Sequence, residues 1–179
     1  MKGLIFNLLE EVVVAEHGDD VWDGILETAG LEGAYTAVGS YADGEFVALL
    51  TALSTALART PEELLRWFGA KAIPMLALRY PIFFEGHTST QSFLLTLNNV
   101  IHAEVRKLYA DADVPVFEFD SPNGDGTLIV GYRSARRLCA LAEGFIDGAA
   151  AHFGERVAIE QSRCMHRGDE SCDLVCRFG

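Results

Sequence analysis

The chain has 179 residues, half of them apolar, which suits one domain with a sizeable core. Its 26 acidic and 14 basic residues give a net charge of −12, which argues against a nucleic-acid surface because phosphate recognition needs a basic stripe. No segment is long and apolar enough to span a bilayer, and there is no internal repeat or low-complexity tract.

In chain order, Met1 to Leu9 begins like a short signal sequence, but Glu10 and Glu11 interrupt it and no small-residue cleavage site follows. Leu4, Leu8, Val12 and Ala15 recur at helical spacing and predict an amphipathic first helix. A cytoplasmic protein follows, whose four cysteines are metal ligands or redox thiols rather than structural disulfides. A second helix is expected over 21–29, ending at Gly30, and a third over the Ala- and Leu-rich segment 46–57. Thr60-Pro61-Glu62-Glu63 has the order of an N-cap, a proline at N1 and early acids. It should open a helix through Leu64, Leu65, Trp67 and Phe68 that Pro74 stops or kinks.

Residues 88–109 read as the longest helix, with His102 in its C-terminal half. The period then changes. Strands are expected at 116–119 and 127–132 around a turn at 121–126, with Ser134 as N-cap of a helix over 135–153. The tail, 156–178, reads as two strands joined around 167–170. The fold class is α+β, a helical N-terminal part packed on an antiparallel sheet with helices.

Two groups of residues carry chemistry. An imidazole on a rigid helix, His102, is either a packed core residue or a metal ligand. Tyr132, Ser134 and Arg136 alternate at strand spacing, so all three would point to one side. A guanidinium and two hydroxyls there could grip a carboxylate; otherwise they are a surface Arg, a capping Ser and a core Tyr.

Taken together, the helix with His102, Leu108-Tyr109, Pro115 and a hairpin leading into Tyr-x-Ser-x-Arg resembles the H-NOX (heme-nitric oxide/oxygen binding) family. The resemblance spans nearly the whole chain and is to the stand-alone bacterial members. It implies one domain over 1–179, with a helical part at about 1–60, an α/β part at about 61–179, and heme b between them. It implies His102 as the axial ligand of the heme iron, Tyr132, Ser134 and Arg136 as propionate partners, and Pro115 as a stiff contact on the heme. Pro115 also reads as a plain helix stop. Oxygen-binding members carry a distal Tyr five residues beyond the Arg; here that position is Leu141, so nitric oxide (NO) is the expected ligand and oxygen is excluded. Tyr35, Tyr41, Tyr80 and Tyr109 are the other candidate donors. The family mechanism is a weakened iron–His bond that shifts the helical part and biases a partner in trans, such as a histidine kinase or a cyclic-di-GMP enzyme. No nucleic acid or membrane is expected as partner.

The four cysteines, Cys139, Cys164, Cys172 and Cys176, all lie in the last 41 residues. Some bacterial H-NOX proteins hold zinc with three Cys and one His, and Cys139, Cys164 and Cys172 match the three Cys. Gln161 stands where the family has the His, which leaves Cys176, or less well His166, as fourth ligand. Free, partly buried thiols are the plain alternative. Two other functions remain open: a zinc-thiolate redox sensor with heme secondary, and a heme enzyme of peroxidase or NO dioxygenase type. No distal acid–base residue for the latter is identifiable, and the chain is expected not to be an enzyme.

Overall fold

A computed structural model describes residues 1–108, 114–121 and 126–179. Three helices open the chain: α1 (Gly3–His17), α2 (Asp19–Ala29) and α3 (Asp43–Leu57). α2 stops at Gly30, which takes the left-handed conformation (φ 67°) that a helix end needs. Thr60 and Glu63 form a reciprocal capping box that starts α4 (Pro61–Arg79), with Pro61 at its first position.

Pro74 does not stop α4, which runs on to Arg79. The proline removes the N–H that would bond the Ala70 carbonyl. Packing against α7 (Cys139–His152) overrides this loss. Leu64, Phe68, Ala72 and Ile73 of α4 are buried, and the Ala70 carbonyl sits against Gly148 of α7. Gly69, Gly144 and Gly148 let the two backbones meet: a Cβ on Gly69 would fall 2.7 Å from the Leu141 carbonyl oxygen, and one on Gly148 2.6 Å from that of Ala70. Arg66 and Glu143 form an ion pair across the same crossing.

The sheet has order β1-β2-β4-β3, all antiparallel: β1 (Val116–Asp120), β2 (Thr127–Arg133), β3 (Val157–Arg163) and β4 (Cys172–Phe178). The expected turn 121–126 and the expected helix end at 111–115 lie largely outside the described residues. Leu128, Val130 and Tyr132 of β2 and Cys172, Leu174 and Cys176 of β4 alternate inward onto α7, as half-buried strands must.

The expected helix over 88–109 is broken into three pieces. α5 (Thr90–Leu94) and α6 (His102–Leu108) are separated by a π-helical turn, Leu97–Ile101. Ser134 is not the N-cap of α7, which starts five residues later with no side-chain cap. Arg137 takes a positive φ of 51°, a conformation that no helix can pass through. The α+β class holds.

Two apolar clusters share α4 and α7. The first joins α1–α3 to Leu64, Leu65, Phe68, Ala72, Ala140 and Leu141; the second joins the sheet to α5, Ile73, Ala142 and Ile146. No helix among the described residues is long and apolar enough to cross a membrane.

Candidate heme pocket and thiol cluster

His102 opens α6. Its imidazole stacks on Phe117 of β1, with ring centroids 5.6 Å apart and planes at 26°. Its Nδ1 is buried and has no hydrogen-bond partner among the described residues. Burial, and then the Arg106 guanidinium one turn on, lower its pKa to about 4; the nearby Pro115 carbonyl opposes them. The ring is therefore neutral at pH 7 and has the lone pair that a metal ligand needs. A buried polar nitrogen without a partner is costly in a finished core, and its presence here fits an imidazole meant to bind something. Pro115 lies beside the ring, half-buried, just before β1.

Phe117 is the strand partner of Tyr132, and their rings are 5.8 Å apart. So one aromatic ring separates the imidazole from the first residue of the Tyr-x-Ser-x-Arg motif. The motif is not laid out on one strand face as the spacing suggested. β2 ends at Arg133, and Ser134 and Arg136 sit in the turn that follows. The buried Tyr132 hydroxyl accepts the Leu138 N–H at 3.0 Å, just before α7, and burial pushes its pKa up. Ser134 Oγ accepts the Arg136 N–H at 3.3 Å, which folds the turn back on itself.

Arg136 already grips a carboxylate. Its Nε donates to Asp43 Oδ2 at 2.9 Å, while the Met1 ammonium holds Oδ1 at 2.8 Å. Burial works against the Asp43 charge, but the ammonium and Arg136 together hold its carboxyl below the usual range. From sequence, Asp43 is only an acid in the first turn of α3, where the helix dipole favours one. Nothing local shows that it meets residues 42 and 93 positions away.

Leu141 is buried on α7 in the first cluster, next to Ala140. Of the tyrosines named as other donors, Tyr35 and Tyr41 use their hydroxyls elsewhere. Tyr35 donates to Glu45, Tyr41 accepts from the Thr36 N–H, and Tyr80 packs on Phe83. Tyr109 lies outside the described residues.

A family model of haem-NO-binding proteins matches residues 2–161. The chain belongs to the H-NOX family. H-NOX domains are heme-based gas sensors, and several have been solved. One is the H-NOX protein of S. oneidensis in the Fe(II)NO ligation state: 33% identity, TM-score 0.92, covering 100% of this chain and 99% of that one. The Fe(II) unliganded protein of K. algicida gives 26% and 0.88, covering 100% and 97%. The IWP-051-bound H-NOX of Shewanella woodyi, in the Fe(II)CO state, gives 32% and 0.84, covering 99% and 94%. No curated protein matches the chain.

Within this H-NOX fold, Cys139, Cys164 and Cys172 are buried, and their sulfurs all lie within 4.8 Å of one another. Helix α7, the end of β3 and the start of β4 deliver one thiol each. Cys176 is not among them, contrary to the expectation that it supplies a fourth ligand. It lies four residues along β4 from Cys172, and at strand rise that is about 13 Å. It faces the core instead, donates weakly to the Leu174 carbonyl, and burial pushes its thiol up to about 12. His166 is exposed and donates from Nε2 to the Arg137 carbonyl at 2.7 Å. Gln161 on β3 lies beside Cys139, and its Nε2 is buried without a hydrogen-bond partner among the described residues. Burial pushes Cys172 up to about 12 even though the Met165 N–H donates to its sulfur at 3.2 Å. Burial also raises the Cys139 thiol, so a cation beside the pair would be needed to favour their thiolates.

Proposed function

We propose that this H-NOX domain binds heme b and acts in the cytoplasm as a nitric oxide sensor, one that excludes oxygen and regulates a partner signalling protein in trans. The observation that carries the reading is His102: a neutral imidazole with an unpartnered buried nitrogen, stacked on the ring that joins it to Tyr132. When bound, a ferrous heme supplies an open coordination position for a diatomic gas. His102 would hold the iron through a ring nitrogen. Tyr132, Ser134 and Arg136 would hold the propionates, and Arg136 Nε already donates to one carboxylate, that of Asp43. Pro115 adds a stiff, donor-free ring beside His102.

Gas selectivity follows from what Leu141 lacks. Oxygen would need a hydrogen-bond donor from the protein to be held there, while nitric oxide would not. Leu141 and Ala140 offer none. Leu97 and Ile101, just before His102, pack on the second cluster, which shares α4 and α7 with the first, so a displaced His102 would tilt the helical part, about 1–60, against the remainder. A histidine kinase or a cyclic-di-GMP enzyme is the expected class of partner. Leu141→Tyr tests the selectivity. In air the ferrous variant should give a stable oxygenated spectrum and the wild type none; identical spectra would remove Leu141 from the account.

The thiol triad favours a second input. Cys139, Cys164 and Cys172 supply three of the four ligands that zinc prefers, with the Gln161 oxygen or a water in the fourth position. A peroxide, itself reduced to water, could oxidise two of those thiols to a disulfide and so eject the metal. Reduced protein should carry one zinc per chain, and Cys172→Ser should carry none. A zinc-free wild type leaves the triad as plain buried thiols.

A further inference from the structure

The backbone turn that delivers His102 is not α-helical, and two side chains, Asn98 and Arg106, form hydrogen bonds around it. In an unbroken α-helix the His102 N–H would donate to the Asn98 carbonyl, four residues back. Here it donates to the Leu97 carbonyl, five residues back, and Leu97–Ile101 forms a π-turn. Such a turn contains one residue more than the α-turn it replaces. Side chains beyond it are rotated by about 100° from where a continuous helix would place them.

The displaced acceptor is satisfied by another route. Arg106 Nη2 donates to the Asn98 carbonyl at 3.2 Å. The Asn98 side chain, meanwhile, docks on β1. Its Nδ2 donates to the Phe117 carbonyl at 2.5 Å, and the Phe117 N–H donates to its Oδ1 at 3.4 Å. β1 is an edge strand, so this carboxamide takes the place that another strand's peptide group would fill. Phe117, held in this way, is the residue whose ring stacks on His102.

We propose that Asn98 is a positioning residue for His102. Its two-point bond to the Phe117 peptide, with Arg106 on its carbonyl, keeps the turn in the π form and sets the direction in which the imidazole meets the iron. The inference rests on His102 being the axial ligand. Without the anchor, the His102 N–H returns to the Asn98 carbonyl, the extra residue unwinds, and the imidazole rotates off the Phe117 ring.

The test compares Asn98→Ala and Arg106→Leu with Asn99→Ala, an exposed side chain in the same turn. Each is loaded with heme, reduced, and read by amide hydrogen exchange and by the iron–His stretching band in resonance Raman spectra. Asn98→Ala should keep one heme per chain and speed exchange of the Phe117 amide about fivefold, the share of one net hydrogen bond. It should also move the iron–His band away from its wild-type position. Arg106→Leu should move the band in the same direction, and Asn99→Ala should move neither readout. If exchange accelerates but the band stays in place, Asn98 merely closes the sheet edge and the proposal is overturned. Unchanged exchange overturns it equally. Should Asn98→Ala fail to fold, Asn98→Ser and Arg106→Leu carry the same two readouts. A band that survives in His102→Gly would sink the ligand assignment itself, and the two failures are thereby told apart.

Discussion

His102→Gly is expected to weaken heme retention by at least about a hundredfold and to make it dependent on added imidazole. Loss of a group that merely orients a metal ligand typically costs ten- to a hundredfold, and here the ligand itself is removed. The proposed propionate partners Tyr132, Ser134 and Arg136 are untouched, so the cavity left by the side chain should accept free imidazole and recover most of the binding. The variant should fold, because the deleted ring carries a buried nitrogen with no partner, so its loss removes a cost along with a contact. The measurement is heme stoichiometry after gel filtration, with and without imidazole. Equal retention by the variant and the wild type in the absence of imidazole would place the axial ligand elsewhere.

Gly144→Ala should be among the most damaging single-methyl changes in the fold. A Cβ at Gly144 would fall almost on top of the Arg66 carbonyl oxygen, which is backbone and cannot swing aside. Relief requires α4 and α7 to separate, which would open both apolar clusters at once, since both helices serve both. The expected loss is about 3 kcal/mol, at the upper end for overpacking. Gly24 on α2 is the control: nothing lies within 4 Å of a Cβ there, so Gly24→Ala should gain about 0.5–1 kcal/mol from helix propensity alone. Urea unfolding midpoints of the two variants should move in opposite directions. A Gly144→Ala midpoint equal to the wild type would mean that the helices can part without cost.

Local signals were readable wherever the chain decides matters locally. Gly30 ends α2, Thr60 and Glu63 cap α4, and the alternation of 127–132 and 172–178 marks the two central strands. The signals misled where a distant contact overrules local preference. Pro74 looks like a stop until α7 is seen packed beside it. The apolar period of 88–109 describes one helix, whereas a carboxamide on an edge strand and an arginine two turns on hold an extra residue in its middle. Ser134 has the chemistry of a cap, but Arg137 at positive φ delays the helix, and the Tyr132 hydroxyl takes the N–H just before it.

The candidate site shows the same division. His102, Tyr132 and the three clustered cysteines are recognisable as residue types that hold metals or carboxylates, and the structure brings the three thiols together. Cys176 could have been set aside on strand rise alone. Asp43, Asn98 and Phe117 could not have been found, because an acid in a first turn, an amide in a helix and a phenylalanine in a strand are unremarkable until the fold joins them.

The most direct test of the central claim is absorption spectroscopy of the reduced wild-type protein. One heme per chain should give a Soret band that moves when nitric oxide is added under anaerobic conditions and keeps its position in air before slow oxidation. A protein that carries no heme, or one whose ferrous spectrum changes at once to a stable oxygenated form in air, would contradict the account.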